Sequence, residues 1–349
     1  MTRKALVVGA LGVVGRGLID HLLSLPDWDV VALSRRPIEP RPRLQTISLD
    51  LLDRSACEAA TASFRDITHV FYVAYLARPT HAEEVGPNLR MLQNLMQALE
   101  PVAPDLQHVT LMQGTKAYGA HLGPYKTPAR ETDARIISPL FYYPQQDYLS
   151  ALAEAKSWTW TVMRPRSIWG FSLGSTMNMI TALGVYSAIS REMGLPLCFP
   201  GTEAGYRRID QAVDTELLAK ACVWAATQPR CANEIFNVAN GGLFRWQDMW
   251  PRIADAIGMK VGPIRDIKLT EAMADKGPLW SRIVEKHGLQ PLPYEQLVDW
   301  SFADFQWRMH YDHISDTTKL IRYGFNEIVD DQEMFVRMLQ QMQQERIIP

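Results

Sequence analysis

The sequence predicts an α/β protein with a doubly wound parallel sheet and a smaller, mostly helical second part. Three observations lead to this fold class. Short apolar strands alternate with amphipathic helices through the first half of the chain, and a glycine-rich turn joins the first strand to the first helix. Long helical stretches dominate after about residue 172.

The strands of the predicted sheet are short runs rich in valine, isoleucine, leucine and aromatic residues. In chain order they are KALVVGA, WDVVALS, LQTISLD, THVFYVA, HVTLMQG, WTWTVMRP and EIFNVAN. Apolar residues at helical spacing lie between them, as in VVGRGLIDHLLSL and NLRMLQNLMQALE. Because apolar strands alternate with helices, the sheet is expected to be parallel and covered on both faces.

The pattern changes after the first half of the chain. Helical stretches such as MNMITALGVYSAISREMG follow, and five of the ten tryptophans lie after residue 240. We therefore predict a sheet domain over residues 1–171 with returning elements near 208–240, and a substrate-binding cap over 172–207 and 241–349. No internal repeat or low-complexity linker separates the two parts.

The composition excludes several classes of protein. The net charge of −2 gives no polybasic signature of nucleic-acid or membrane-surface binding. The chain has no uninterrupted apolar run of about 18 residues, so no transmembrane helix is predicted. The four cysteines, at positions 57, 198, 222 and 231, fit neither a zinc site nor a disulfide framework. We expect a reduced, cytoplasmic protein with no metal and no nucleic-acid or membrane partner.

A glycine-rich turn follows the first strand. In VVGALGVVG, three glycines follow a G-x-x-G-x-x-G spacing between a strand and a helix. Such a turn lets backbone amides approach a pyrophosphate at the helix N-terminus. The predicted contacts come from Gly9, Leu11, Gly12, Val13 and Gly15. The context indicates a Rossmann-type dinucleotide site, and the alternative is merely a tight strand–helix turn.

The second strand ends in ALSRRP, where an NAD-specific site usually has an acidic residue on the ribose 2′-hydroxyl. This chain has Ser34, Arg35 and Arg36 instead. Two guanidinium groups suit a 2′-phosphate, which they can bind with charge-assisted hydrogen bonds. The sequence therefore predicts NADPH as cofactor, and the alternative is two solvated surface arginines.

Two further segments are candidates for cofactor contacts. SLDLLD follows the third strand, so Asp50 and its neighbour Leu51 are predicted beside the adenine, with Asp50 accepting from its amino group. RPRSIWG follows a later strand, and the backbone from Pro165 to Ile168 is predicted to contact the nicotinamide carboxamide. The alternatives are a plain turn aspartate and a structural proline turn.

The segment LFYYPQQDYL, residues 140–149, looks like the tyrosine segment of a short-chain dehydrogenase, whose hydroxyl donates a proton to a carbonyl oxygen. Such enzymes usually have a lysine four residues after the tyrosine. Here Gln146 follows Tyr142 at that distance, and Asp147 follows Tyr143. Pro144 suits the first turn of a helix, so Tyr142 is expected just before it.

A lysine on another element can supply the missing cation. The strand HVTLMQ ends in GTKAYG, so Lys116 projects from the carboxyl end of a strand, where open α/β sheets bind ligands. We expect Lys116 and Tyr142 to meet across a crevice from separate elements. Tyr118, two residues after Lys116, is a candidate for the same pocket or a plain packing residue.

Taken together, these motifs resemble the progesterone 5β-reductase/iridoid synthase-like (PRISE) family of atypical extended short-chain dehydrogenases/reductases. The resemblance covers nearly the whole chain and includes VVGALGVVG, LSRRP, THVFYVAYLARPT, GTKAYGAHLGPY, LFYYPQQD, MRPRSIWGFS and EIFNVANGGLFRW. It implies that Lys116 and Tyr142 are the catalytic pair, a choice between the two tyrosines that spacing alone does not make. Plant members usually have Asn where this chain has Leu140, and a substrate-facing Trp of plant steroid reductases aligns with Tyr75.

The resemblance implies an NADPH-dependent enone reductase. Hydride is expected to reach the β-carbon of an α,β-unsaturated carbonyl compound, while Tyr142 and Lys116 stabilise the enolate. A cation close to Tyr142 is expected to lower the pKa of its hydroxyl. Tyr75 and Phe302 are candidates for an apolar substrate wall, with core packing as the alternative.

Other functions remain open at this point. A carbonyl reductase would use the same tyrosine, a redox-sensing NADP-binding regulator would need no Lys116, and a sugar-nucleotide epimerase would use the usual tyrosine–lysine spacing and NAD. The expected partner is a small hydrophobic enone or enal. Analogy alone suggests a homodimer.

Overall fold

A computed structural model describes residues 3–172 and 174–349. The strands are β1 (Arg3–Val8), β2 (Trp28–Ser34), β3 (Leu44–Ser48), β4 (His69–Tyr72), β5 (His108–Met112), β6 (Thr159–Pro165), β7 (Ser167–Trp169), β8 (Ile209–Asp210), β9 (Ala212–Asp214), β10 (Glu234–Val238) and β11 (Phe244–Arg245). The helices are α1 (Val13–Ser24), α2 (Arg54–Ala59), α3 (His81–Leu99), α4 (Tyr142–Ala153), α5 (Met179–Glu192), α6 (Glu203–Arg207), α7 (Thr215–Thr227), α8 (Trp246–Ala256), α9 (Leu269–Ala272), α10 (Gly277–His287), α11 (Trp300–Arg308), α12 (Thr318–Arg322) and α13 (Asp331–Gln344).

The chain forms two compact units. The first contains residues 3–166, Thr215–Val238 and Ser315–Asn326, and the second contains the described residues of Ser167–Asp214, Ala239–Ile314 and Glu327–Pro349. The predicted domain limits differ from these units at several points. Residues 167–171 lie in the second unit, as do residues 208–214 and 239–240 at the two ends of the predicted returning segment. Residues 315–326, which include α12, lie in the first unit.

The first unit is built on a seven-stranded sheet in the order β10-β6-β5-β4-β1-β2-β3, and every pairing in it is parallel. β1 lies near the middle, and its last four residues, Ala5–Val8, are fully buried. Their apolar run is what a strand covered on both faces requires. The doubly wound parallel sheet predicted from the sequence is confirmed.

Two helices of the first unit start with features that the sequence encodes. α3 begins with a capping box, in which the Thr80 hydroxyl accepts the Glu83 amide and the Glu83 carboxylate accepts the Thr80 amide. α4 begins at Tyr142 itself, with Pro144 in its first turn. The helix therefore includes the tyrosine that was expected just before it.

The second unit is mostly helical. Its core is rich in aromatic side chains, and Trp169, Trp246, Trp250 and Trp307 are almost completely buried in it. Two short pairings, β7 with β9 and β8 with β11, accompany the helices. Within residues 3–172 and 174–349, no helix combines the length and the apolar character needed to cross a membrane.

Candidate active site

The glycine turn between β1 and α1 has the close backbone approaches that a dinucleotide loop needs. Gly9 has φ +92°, and a Cβ there would lie 2.8 Å from the Ala74 backbone. A Cβ on Gly15 would lie 2.3 Å from the carbonyl oxygen of Gly9. Gly12 is the N-cap of α1, whose first turn carries no acidic side chain. The first-turn amides of α1 and the missing side chains fit a pyrophosphate.

The residues predicted to contact the rest of the loop and the ribose lie at the same edge of the sheet. Leu11 and Val13 flank Gly12 and are half-buried. Ser34 ends β2, and its hydroxyl donates to the carbonyl of Arg36. Because the side chains of Arg35 and Arg36 are exposed after the strand, their guanidinium groups are accessible to an anion.

The sequence analysis missed one further cation in this region. Arg16 lies in the first turn of α1, and burial lowers the pKa of its guanidinium. Asp20 opposes this effect, whereas Arg36 and Arg41 repel the charge and lower the pKa further. The positive charges of Arg16 and Arg36 therefore lie close enough to repel each other. The signal in the sequence is an arginine directly after the last glycine of the motif.

The structure places the other predicted cofactor residues in different surroundings. Asp50 is exposed, and its Oδ1 accepts the amide of Leu52 at 3.0 Å, as in a turn. Leu51 is buried in the core of the first unit, so its side chain is not available to a ligand and only its backbone could serve. Pro165 ends β6, whereas Ile168 lies in β7 of the second unit, paired with Val213.

The two adjacent tyrosines of α4 differ in what their hydroxyls bind. Tyr143 donates to the carbonyl of Ala117 at 2.9 Å and accepts the amide of Ile136 at 3.1 Å. Among the described residues, the Tyr142 hydroxyl has no hydrogen-bond partner. It faces the backbone of Gly114, where a Cβ would come within 3.3 Å of it. Tyr142 is thus the member of the pair whose hydroxyl is left to meet a ligand.

The turn that carries Lys116 is fastened to the start of α4. Residues Thr115–Tyr118 form a 3-10 turn directly after β5 and Gly114. Gln113 Nε2 donates to the Tyr142 carbonyl at 2.9 Å on one side of Lys116, and the Tyr143 bond to Ala117 lies on the other. The two predicted catalytic residues therefore belong to elements that are bonded to each other at two points.

Lys116 itself is half-buried. In the part of the chain that the structure describes, no carboxylate lies within 4 Å of its ammonium group. Burial lowers the pKa of Lys116, and the negative charge of Glu84 opposes this shift. The Lys116 ammonium group therefore lacks a directly bonded negative charge. An enolate or alkoxide oxygen bound beside it would provide one.

Glu84 is a buried carboxylate that the sequence analysis missed. It lies on α3 and is 3 % exposed. It accepts a hydrogen bond from the Tyr75 hydroxyl, and its Oε2 lies 3.0 Å from His81 Nδ1. The ring of Tyr75 stacks on Phe141, with centroids 5.5 Å apart, and Phe141 meets the edge of Tyr142 at 4.8 Å. In the sequence, an acidic residue in the first turn of an amphipathic helix is normally interpreted as a charge that stabilises the helix N-terminus. Its hydrogen bond to Tyr75 was therefore not predicted.

The electrostatics of Tyr142 differ from the expectation. Burial raises the pKa of its hydroxyl, the charge of Glu84 raises it further, and Arg164 is the cation that opposes them. The expected lowering of this pKa by Lys116 is not found: burial is the largest cause and raises it, and the cation that acts on Tyr142 is Arg164. Tyr142 therefore stays a neutral hydroxyl at physiological pH and can act as a hydrogen-bond and proton donor.

The three residues predicted for the substrate wall differ in accessibility. Tyr75 is 37 % exposed, beside Phe141. Tyr118 is buried, donates to Asn237 Oδ1 at 2.6 Å and accepts from Arg164, contacts that favour its packing alternative. Phe302 is half-buried on α11 against the core of the second unit. Its role as a substrate contact stays a prediction.

Comparison with known proteins identifies the family. The family described as a PRISE-like Rossmann-fold domain matches residues 5–349. The chain belongs to this family. It is 34 % identical to an (S)-8-oxocitronellyl enol synthase of Nepeta racemosa over 99 % of this chain and 93 % of that protein. It is 33 % identical to a 3-oxo-Delta(4,5)-steroid 5-beta-reductase of Arabidopsis thaliana, with the same coverage. The family predicted from the motifs is confirmed.

Solved structures share the fold at low sequence identity. A UDP-glucose 4-epimerase from Thermotoga maritima, solved with UDP-glucose, superposes with a TM-score of 0.71 at 15 % identity, covering 98 % of this chain and 99 % of that one. A Thermus thermophilus UDP-glucose 4-epimerase in complex with NAD gives 0.65 at 18 % identity, covering 97 % of this chain and 99 % of that one. At such identities the likeness concerns the fold, and function has to be argued from the site.

Proposed function

We propose that this protein is an NADPH-dependent reductase of the C=C bond of α,β-unsaturated carbonyl compounds. One observation carries the proposal: Tyr142 presents a neutral hydroxyl without a protein partner among the described residues, on a helix bonded to the turn that carries Lys116. This pair lies where β5 ends, the edge at which open α/β sheets bind ligands.

The names of the relatives specify a shared chemistry. In a 3-oxo-Δ4,5-steroid, the carbon reduced by a 5β-reductase is β to the carbonyl group, so that enzyme reduces an enone in the 1,4 sense. The enol synthase is named for an enol, the protonated form of the enolate that 1,4-reduction produces. We assign the same reaction class to this chain because the pair proposed for it can stabilise an enolate oxygen.

The roles of the two residues follow from their surroundings. NADPH, when bound at the glycine turn, supplies the hydride that the β-carbon receives. The Tyr142 hydroxyl donates a hydrogen bond or a proton to the carbonyl oxygen, on which negative charge develops. Lys116 provides a half-buried positive charge for the same oxygen, in a place where little water screens it. The reaction consumes one hydride and one proton and yields a saturated carbonyl compound.

The preference for NADPH rests on three cations. Arg35 and Arg36 follow β2, and Arg16 of α1 lies in the field of Arg36. No acidic residue stands at the end of β2 to accept the 2′-hydroxyl of NAD. Arg36 and Arg16 act on each other electrostatically and Arg35 precedes Arg36 in the chain, and guanidinium groups suit a dianionic 2′-phosphate.

The substrate is proposed to be a small hydrophobic enone or enal. Tyr75 and Phe141 place two stacked rings beside Tyr142, and these rings can pack against an apolar carbon skeleton. The names of the relatives specify an 8-oxocitronellyl and a 3-oxo-steroid skeleton for those enzymes.

Turnover of enones tests the proposal directly. NADPH oxidation should be followed with 2-cyclohexen-1-one, a linear enal and a 3-oxo-Δ4 steroid, with products identified by mass spectrometry. Wild type, Tyr142→Phe and Lys116→Ala are compared after each is shown to fold and to bind NADPH. We expect the saturated carbonyl product from wild type and a fall in kcat of about 10²-fold or more in both variants.

Other outcomes would reject the proposal. An allylic alcohol as the main product would assign carbonyl reduction by the same pair. Tight NADPH binding with no turnover of any of the three substrates would favour a cofactor-sensing protein. Equal activity of Tyr142→Phe and wild type would remove the tyrosine from the mechanism.

A further inference from the structure

A guanidinium group is buried beside the candidate active site. Arg164 lies on β6, one residue before the strand ends, and is 4 % exposed. Within residues 3–172 and 174–349, no carboxylate lies within 4 Å of its nitrogens. A buried charge is costly unless hydrogen bonds replace its water, so the neutral groups around it must do so.

Three side chains provide these hydrogen bonds. Arg164 Nε donates to Gln113 Oε1 at 2.8 Å, Nη1 donates to the Tyr118 hydroxyl at 3.2 Å, and Nη2 donates to Gln146 Oε1 at 3.4 Å. The guanidinium also lies 5.1 Å from the centroid of the Tyr118 ring. The three nitrogens of the planar group therefore bond two parts of the chain, the segment after β5 and helix α4.

The positions of these partners relate them to the catalytic pair. Gln113 directly follows β5 and Tyr118 ends the 3-10 turn, so the two residues stand on either side of Lys116. Gln146 lies on α4 four residues after Tyr142, at the position where short-chain dehydrogenases usually have lysine. One side chain thus connects the lysine turn with the tyrosine helix.

The network extends to the backbone of Tyr142. Arginine has only donors, so Gln113 must turn its amide oxygen toward Arg164 and its amide nitrogen away. That nitrogen donates to the Tyr142 carbonyl at 2.9 Å and to Gln146 Oε1 at 3.4 Å. Arg164 therefore fixes the orientation of the group that holds the first residue of α4.

We propose that Arg164 is a positioning residue that holds the Lys116 turn and the Tyr142 helix in a fixed position relative to each other through Gln113, Tyr118 and Gln146. We call this relative position the register of the pair. Its contribution to catalysis rests on the proposed enone reduction, whereas the register itself does not. In enzymes with lysine four residues after the tyrosine, one helix fixes the spacing of the pair. Here the pair is divided between two elements, and the guanidinium fork performs that task.

Two matched pairs of variants test this role. Arg164→Lys keeps the charge and removes the planar fork, and Arg164→Met removes both. Gln146→Glu keeps an acceptor for Nη2, whereas Gln146→Leu removes it. kcat and KM for 2-cyclohexen-1-one are measured per NADPH-binding site, so unfolded protein does not enter the rates. Hydrogen–deuterium exchange is followed in peptides covering 113–118 and 142–149, with a peptide from β1 as control.

A positioning role predicts a specific pattern. kcat should fall about 10- to 100-fold in Arg164→Lys, Arg164→Met and Gln146→Leu, while KM and NADPH affinity change less than about threefold. Gln146→Glu should retain kcat within about threefold. Exchange should accelerate in both active-site peptides of the three impaired variants and stay unchanged in β1.

Two results would overturn the proposal. Wild-type kcat in Arg164→Lys would show that the charge is sufficient without the fork. Loss of kcat in Arg164→Lys with unchanged exchange in both peptides would show that the register does not depend on Arg164. If wild type reduced no enone, the enone proposal would fail by itself, and the exchange data would still decide the register.

Discussion

The hydroxyl of Tyr142 lies against the bare backbone of Gly114. A Cβ built on Gly114 would come within 3.3 Å of Tyr142 Oη and 3.7 Å of the Pro165 carbonyl oxygen. Gly114 has an extended backbone, with φ 179°, so conformational freedom is not what requires glycine here. The requirement is space, because any side chain at this position presses on the hydroxyl that the proposed chemistry uses.

Gly114→Ala should therefore impair catalysis while leaving the fold intact. The added methyl displaces the Tyr142 hydroxyl by a few tenths of an ångström, and we expect kcat to fall about 10- to 100-fold. The thermal unfolding midpoint and NADPH affinity should stay close to wild type. Gly86→Ala on α3 is the control, because its methyl would meet only the flexible end of Arg90. Equal kcat in Gly114→Ala and wild type would contradict this role of the space.

Tyr143→Phe should affect stability more than chemistry. The substitution removes the hydrogen bonds to the Ala117 carbonyl and from the Ile136 amide, and we expect a loss of about 1–2 kcal/mol in the free energy of unfolding. kcat should remain within about threefold of wild type, whereas Tyr142→Phe should lose activity with little change in stability. Urea unfolding and steady-state rates of the two Phe variants, measured together, check the assignment. If Tyr143→Phe lost as much activity as Tyr142→Phe, the hydroxyls would have been assigned the wrong roles.

The double variant Arg35→Ala/Arg36→Ala should lose selectivity for the phosphorylated cofactor. We expect NADPH affinity to fall about tenfold or more and NADH affinity to change less than threefold, because only NADPH carries the 2′-phosphate. The measurement is the Kd of both cofactors by nucleotide fluorescence at two ionic strengths. The Kd for NADPH should depend on salt more weakly in the variant. Arg54→Ala, an exposed arginine paired with Glu58 on α2, serves as the control for general loss of positive charge. A parallel fall in both affinities would count against a 2′-phosphate site.

Two histidines in the sheet should make the protein sensitive to acid. His69 and His108 are paired across β4 and β5 and are buried. Burial lowers the pKa of His69 to about 4 and that of His108 to about 3, with weaker repulsion from Arg3 and from His69 respectively. The unfolded chain therefore takes up protons from about pH 6.5 downward before the folded chain does, and the free energy of unfolding decreases as the pH falls.

For His69, the difference between 6.5 and about 4 corresponds to a loss on the order of 3 kcal/mol, complete near pH 4. Urea unfolding between pH 7.5 and 4.5 measures the slope. His69→Phe should flatten the slope because the titratable imidazole is removed. The phenyl ring keeps the edge contact with Trp28, so the packing is retained. An equally steep slope in His69→Phe would rule out His69 as a cause.

The fold could be predicted from the sequence because its determinants are local. The apolar run of β1, the glycine turn and the amphipathic α1 follow one another within 24 residues, and each has a distinct periodicity. The limits of the units were harder to predict. Residues 315–326 return to the first unit through α12, and no pattern in their sequence predicts that they pack against the sheet.

The site could be predicted only in part. Lys116 was inferred from the end of a strand, but the choice of Tyr142 over Tyr143 needed a family resemblance, and the structure supplies a physical reason in the bonded hydroxyl of Tyr143. Glu84 was missed because its position in the first turn of α3 suggests a capping charge, and Arg164 was missed because its partners Gln113 and Tyr118 are remote in the chain. Arg164 bonds Gln113, 51 residues away, through the pairing of β5 with β6. Such contacts depend on strand order and packing, which periodicity does not encode.

The contact between Arg164 and Gln146 also limits how this arrangement can change. A lysine at position 146 would restore the common spacing after the tyrosine, yet it would bring a second positive charge against a buried guanidinium. Removing Arg164 first would release Gln113, Tyr118 and Gln146 together. Neither single exchange gives a well-formed intermediate, so the effects of the two positions are not additive. A tyrosine and lysine on separate elements, as here, and a tyrosine and lysine four residues apart on one helix are therefore alternative solutions separated by epistasis. A route from one to the other must change residues 146 and 164 together.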